Sequence, residues 1–69
     1  MERVPLSSSN LQSVGYDSET GILEIEFKTG SIYQYSGVPT DEYLSMMNAP
    51  SQGRYFNANI KNRYPCIKL

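Results

Sequence analysis

The chain is poor in the residues on which most enzyme sites and covalent scaffolds depend. Its 69 residues include no histidine and a single cysteine, Cys66. One cysteine forms no internal disulfide, and without histidine the commonest general base is missing and a metal site would need carboxylates alone. The five glycines are scattered, so there is no glycine-rich phosphate loop. These absences favour a module without enzymatic activity, cofactor or metal.

Long apolar runs are also missing. No segment approaches the roughly 18 apolar residues of a membrane span, and the N-terminal sequence MERVPLSSSN has no apolar core of a signal peptide. We therefore expect a cytoplasmic protein without a membrane partner. A chain of this size forms one domain of modest stability, because folding buries only about 60% of the surface of the unfolded chain.

Acidic and basic residues are unevenly distributed along the chain. Residues 1–42 contain all seven acidic residues and two basic ones, whereas residues 43–69 contain four basic residues and no acid. Such asymmetry arises by chance in short chains, or it indicates a basic surface that meets an anionic partner.

Alternating apolar and charged residues predict a β-hairpin in the middle of the chain. In ILEIEFKTG the apolar positions are Leu23, Ile25 and Phe27, and the charged positions are Glu24, Glu26 and Lys28. This is the period of a strand with one buried face and one solvated face. Gly30 marks the turn, SIYQYSG forms the returning strand, and NLQSVGYD supplies an earlier strand that ends in the turn DSETG.

The length of the turn at Gly30 sets the register of this hairpin. A two-residue loop would place Phe27 opposite Ile32. A three-residue loop, built from a type I turn with Gly30 as a bulge in the αL conformation, would place Ile25 opposite Tyr33. The two loops put opposite sets of side chains into the core, since a slip of one residue exchanges the faces of a strand.

Tyr33 and Tyr35 share one face of the predicted strand because they lie two residues apart. The two-residue loop would put both rings among the acidic side chains and would bury Gln34. The three-residue loop would place Tyr35 opposite Leu23 on the inner face, although Ile32 would then lie outside. We favour the three-residue loop and two core tyrosines. The alternative is a sheet platform that stacks bases.

The next segment, GVPTDEYLSMMNAP, predicts a first short helix. Thr40 is a suitable N-cap, Asp41 and Glu42 suit the positive end of the helix dipole, and Pro50 ends the helix. The apolar side is predicted to consist of Tyr43, Leu44 and Met47.

Ser51 is predicted to cap a second short helix over QGRYFNANI. Phe56 and Ile60 lie four residues apart on one side of it, while Gly53 weakens the helix. The tail KNRYPCIKL has room for a short edge strand after Pro65. The predicted fold class is α+β, with a three-stranded antiparallel meander followed by two short helices on one face. Residues 1–6 are expected to be a flexible lead-in, and residues 7–69 a single domain.

The ordered motifs resemble the KTSC domain family over residues 7–64. They are Gly-Tyr-Asp, Phe-x-x-Gly, Tyr-x-Tyr-x-x-Val-Pro and Ser-x-Gly-x-Tyr-Phe-Asn. The family takes its name from the C-terminus of some lysyl-tRNA synthetases and occurs as stand-alone bacterial and phage proteins. The resemblance implies a KTSC-like domain and a suggested role in RNA binding. Its usual Tyr-x-Tyr signature, here Tyr33-Gln34-Tyr35, is interpreted as structural.

Basic and aromatic residues alternate in GRYFNANIKNRYP, which makes this stretch the candidate nucleic-acid surface. Cations meet phosphates, and aromatic faces stack on bases. We predict weak, sequence-independent RNA binding through Arg54, Lys61 and Arg63, with stacking by Tyr55 or Tyr64. The simpler interpretation is that a core this small needs the same aromatic residues for packing.

The alternative function is that of a protein interaction or homodimerisation module. A small sheet has edges on which a partner strand pairs, and the acidic part of one copy could meet the basic part of another. Dimerisation would also add buried surface to a small core.

Overall fold

Five antiparallel strands in chain order form one sheet, as the computed structural model of residues 1–69 describes. The strands are β1 (Val4–Pro5), β2 (Leu11–Asp17), β3 (Ile22–Phe27), β4 (Ile32–Tyr35) and β5 (Cys66–Lys68). Helices α1 (Thr40–Met47) and α2 (Gln52–Asn59) connect β4 to β5. The predicted α+β class, the meander β2–β4, the two helices and the C-terminal edge strand are confirmed. Strand β1 was not predicted, because two residues are too few to show the alternation of apolar and polar side chains that identifies a strand.

The hairpin β3–β4 has the three-residue loop. Gly30 has φ 96°, and its N–H donates to the Phe27 carbonyl at 2.8 Å, while the Phe27 N–H donates to the Ser31 carbonyl at 2.9 Å. The register therefore pairs Ile25 with Tyr33, and it pairs Leu23 with Tyr35 in the same way. Both tyrosines lie on the inner face, as predicted, because a bulge in the αL conformation adds the residue that exchanges the faces.

The core lies between the inner face of the sheet and the two helices. It comprises Leu11, Val14, Leu23, Ile25, Tyr35, Val38, Met46, Phe56 and Ile60. Phe56 on α2 is central, because its ring meets Tyr35 at 5.3 Å and Phe27 at 5.8 Å between centroids, both edge to face. Aromatic pairs in this arrangement stabilise beyond their buried area.

Two details of α1 differ from the sequence prediction. The N-cap is Pro39 without a side-chain cap, and Thr40 is the first helical residue, with its hydroxyl 3.3 Å from that of Tyr16. Leu44 is 49% exposed, and Met46 is buried in its place. The helix is oriented by Tyr43, whose ring stacks on Tyr16 at 4.5 Å, and this orientation turns Leu44 towards solvent.

The cap of α2 follows the sequence prediction. The Ser51 Oγ accepts a hydrogen bond from the Arg54 N–H at 3.3 Å. Phe56 and Ile60 are fully buried, as their spacing predicts. Serine satisfies a backbone donor that the first turn of a helix leaves free.

An N-terminal strap, residues 1–3, crosses the outer face of the sheet. A Cβ at Gly15 would lie 2.6 Å from the Glu2 carbonyl oxygen, so the strap fits there because residue 15 has no side chain. Arg3 forms an ion pair with Glu24, which also accepts from the Gln34 amide at 2.8 Å. The expectation that Glu24 is a solvated charge is wrong, since it is only 5% exposed beneath the strap.

Gln34 on β4 and Arg3 of the strap together favour the charged form of Glu24. The Gln34 hydrogen bond and the Arg3 guanidinium lower the pKa of the Glu24 carboxyl, although burial acts in the opposite direction. The carboxylate is therefore ionised and partnered at neutral pH, which satisfies the requirement for a buried charge.

We predict that Gly15→Ala and deletion of residues 1–3 act on the same contact. Each should lower the free energy of unfolding by about 1–2 kcal/mol, because each removes the charged hydrogen bond between Arg3 and Glu24. Urea denaturation of both single changes and of their combination tests this. The combination should cost no more than either alone, and Gln12→Ala, an exposed change on the same strand, should cost little. Costs that simply add would show that Gly15 acts elsewhere.

Candidate nucleic-acid interface

The three cations predicted to bind phosphate are all available on the surface. Arg54, Lys61 and Arg63 are exposed. Both ion pairs in the protein use Arg3, so none of these three side chains is neutralised by a carboxylate.

Two of these cations, Arg54 on α2 and Lys61 in the turn that follows, lie on the same side of the helix. Gly53, Phe56 and Ile60 face the core. The residues that directly follow these three in the sequence form a neighbouring row. We call this row the α2 flank, and it comprises Arg54, Asn57 and Lys61. The spacing of three and four residues keeps this row on one side of the helix and of the turn that follows it.

A polar groove lies against the first part of the α2 flank. Arg54, Asn57 and Ser51 line it together with the loop 7–10, and its volume is 340 Å³. No acidic residue lines it. A Cβ at Gly53 would lie 2.7 Å from the Asn10 Oδ1, so this glycine allows the loop to approach the helix closely.

An aromatic pocket lies at the other end of the α2 flank. Its volume is 410 Å³, and its lining includes Phe27, Tyr33, Tyr35, Lys61, Asn62 and Cys66, with no acidic residue. Tyr33 is half-buried and meets the Phe27 ring edge to face at 5.7 Å. Strand β5 contributes Cys66 to the lining, opposite Tyr35, and it also places Lys68 opposite Tyr33.

Tyr35, one of the residues that line this pocket, carries a neutral hydroxyl. Burial, followed by the neighbouring Cys66 and Tyr33, raises the pKa of Tyr35 to about 12. The side chain is therefore a hydroxyl and not a phenolate throughout the physiological range.

The two other tyrosines predicted to stack lie away from the aromatic pocket. Tyr55 is half-buried, and its hydroxyl donates to the Glu42 carboxylate of α1 at 3.2 Å. Tyr64 is half-buried against the core. Tyr33 is the tyrosine that lines the aromatic pocket together with the free cation Lys61. From the sequence we favoured Tyr33 as a core residue, and the stacking platform was the alternative.

No acidic residue lines the polar groove or the aromatic pocket. A separate concavity beside the strap is lined by Glu2, Asp17 and Glu19, and Asp41 and Glu42 belong to the first turn of α1. The two concavities at the α2 flank are therefore free of acidic lining, while Glu42 reaches Tyr55 on the same helix as the flank. No group of three or more potential metal ligands occurs, and neither helix is long and apolar enough to cross a membrane.

Fold and surface together define a small α+β domain in which one helix flank joins a polar groove to an aromatic pocket. The family model for the KTSC domain matches residues 7–64, and the chain belongs to this family.

Relatives and a solved structure agree with this assignment. A crystal structure of a KTSC domain protein from Yersinia pestis has 43% identity and a TM-score of 0.95, covering 99% of this chain and 96% of that one. A Stutzerimonas stutzeri protein is 45% identical over 93% of this chain and 90% of its own length. A lysine–tRNA ligase of Nostoc punctiforme is 39% identical over 88% of this chain, which spans only 11% of that protein.

Proposed function

We propose that the domain binds RNA weakly and without sequence specificity through the α2 flank. One observation supports this proposal: the polar groove and the aromatic pocket, neither lined by an acid, lie at the two ends of the α2 flank. The two cations of the flank, Arg54 and Lys61, form no ion pair. A surface of one sign with recessed walls attracts polyanions, because nearby carboxylates do not cancel its field.

Phosphate contacts account for the expected weakness. Arg54 stands at the polar groove and Lys61 at the aromatic pocket, while Arg63 is exposed two residues further on. Only about three or four phosphates are neutralised, so affinity should be low and should fall steeply with salt. Phosphate contacts carry no base information, so all sequences should bind alike.

The similarity to lysine–tRNA ligases supports RNA as the anion. The matching ligase of Nostoc punctiforme has a name that refers to tRNA, and the segment matched is a small part of it. A module in that context gains from nonspecific affinity for RNA, since tethering raises the effective concentration of a weak second site.

Neutralising two cations of the α2 flank tests the proposal. Arg54→Gln with Lys61→Gln should weaken binding of a labelled single-stranded RNA about tenfold at about 50 mM salt and should lower the slope of log affinity against log salt by about 1.4. Fluorescence anisotropy at several salt concentrations measures both quantities.

A matched control separates local contacts from net charge. Ser18→Glu with Thr20→Glu changes the net charge by the same amount in an exposed turn between β2 and β3. This variant should bind almost as well as the original chain. Equal weakening by both pairs, or no binding at tens of micromolar in about 50 mM salt, would contradict the proposal. Self-association that salt disrupts would then favour the interaction module.

A further inference from the structure

We infer that the aromatic pocket receives one unpaired base of the bound strand, so that the domain selects single-stranded over duplex RNA. This inference rests on the proposed RNA binding and assigns a second role, base stacking, to Tyr33. A base in a duplex is already stacked and paired, whereas a base in a single strand is free to enter a recess.

The pocket lining contains an aromatic ring on which a flat base can stack. The Tyr33 ring forms an edge-to-face pair with Phe27, at an interplanar angle of 86°, and is only half-buried by the protein itself. The volume of 410 Å³ falls within the range of roughly 300–1,000 Å³ typical of small-molecule sites. Every base has a π face, so stacking on Tyr33 remains compatible with binding that ignores sequence.

A tyrosine that lines the pocket adds a hydroxyl to its aromatic lining, which suits a ligand with polar edges. Tyr35 is 97% buried, being 3% exposed, and it lines the pocket. The hydroxyls of Tyr16 and Tyr55 donate to a carbonyl and a carboxylate, whereas that of Tyr35 donates to no oxygen or nitrogen of the chain. Its neighbour is the Cys66 thiol, and the protein leaves no buried side-chain oxygen or nitrogen without a hydrogen-bond partner. A base edge carries acceptors that a hydroxyl donor can use.

Two cations are available to the phosphates next to a bound base. Lys61 belongs to the lining, and Lys68 is paired opposite Tyr33 across β4 and β5. Both are exposed and free of carboxylate partners. An aromatic recess lined by one lysine, with a second lysine opposite its tyrosine, matches a nucleotide within a strand better than it matches an uncharged aromatic molecule.

Alkylation of Cys66 tests the inference on the unmodified protein. Cys66 is the chain's one thiol, it is exposed, and it lines the pocket. The rate of its reaction with iodoacetamide is followed by mass spectrometry with oligouridine, with an abasic oligomer of equal phosphate number, and with duplex RNA. Each ligand is added to the same high occupancy, as measured by anisotropy.

Oligouridine should slow alkylation about fivefold or more at high occupancy, because a bound base covers the thiol. The abasic oligomer and the duplex should change the rate less than about twofold. Equal protection by the abasic oligomer would overturn the base pocket while leaving RNA binding intact. Failure of all three ligands to bind would overturn the proposed function itself.

Tyr33→Leu supplies a second measurement. It should weaken oligouridine binding about tenfold and leave binding of the abasic oligomer unchanged, since only the first ligand stacks. A thermal unfolding curve verifies that the variant is folded, and Tyr33→Phe should retain the affinity of the original chain. An equal loss of affinity for oligouridine and for the abasic oligomer would contradict the inference. If Tyr33→Leu does not fold, the alkylation experiment tests the inference by itself.

Discussion

Phe56→Ala is expected to lower the free energy of unfolding by about 3–5 kcal/mol, the largest loss for any single residue of this protein. Phe56 is fully buried and joins α2 to the sheet through its contacts with Phe27 and Tyr35. Its loss would leave a cavity that the short helices and strands cannot close without giving up other contacts. Because a domain of this size has only a few kcal/mol in total, the variant should be largely unfolded at room temperature.

Urea denaturation followed by circular dichroism measures this loss. Asn57→Ala is the matched control, since Asn57 is the next residue on α2 and is exposed. The control should change stability by less than about 0.5 kcal/mol. A loss below about 1.5 kcal/mol for Phe56→Ala would mean that the helix packs less tightly on the sheet than the structure indicates.

Tyr35→Ala should cost about 2–4 kcal/mol, the second largest expected effect. The ring is 3% exposed, lies opposite Leu23 and meets Phe56 edge to face. This cost is a direct consequence of the register, because a two-residue hairpin loop would have put the same ring on the outer face.

Tyr35→Phe separates the ring from its hydroxyl. The hydroxyl donates to no nitrogen or oxygen of the protein, so the phenylalanine variant should lose less than about 0.5 kcal/mol. Denaturation curves for both variants should therefore differ widely in midpoint. If Tyr35→Phe lost as much as Tyr35→Ala, the hydroxyl and not the packed ring would be the stabilising group.

Packing and the proposed binding share one cluster of rings. Tyr35 and Phe56 are buried in the core, whereas Tyr33 stands at its edge beside Lys61. A domain this small needs most of its aromatic residues for packing. A ring at the edge of the core can pack with one part and leave another part open for stacking. This is why we expect Tyr33→Leu to affect binding more selectively than Tyr35→Ala.

Local patterns in the sequence were enough to predict the sheet meander and most of its register. Alternation through Leu23, Ile25 and Phe27 identifies the strand, and Gly30 permits the αL bulge that fixes the opposing residues. Ser51 likewise identifies the start of α2. These features depend on the geometry of neighbouring residues, so they are readable in one segment at a time.

Tertiary structure alone decided the features that join distant segments. The burial of Glu24 depends on Arg3 crossing over Gly15, and the orientation of α1, which buries Met46 instead of Leu44, depends on Tyr43 stacking against Tyr16. Neither contact has a local signal, because both are set by how packed elements meet.

The candidate interface shows the same division. The sequence determined which cations are present and that none of the last 27 residues is acidic. Only the fold brought Lys61 to Tyr33 and Cys66, and turned Tyr55 towards Glu42. The sequence determines which charged residues the protein has. Their arrangement around a pocket depends on contacts between distant segments, and the periods of two residues in strands and 3.6 in helices do not predict such contacts.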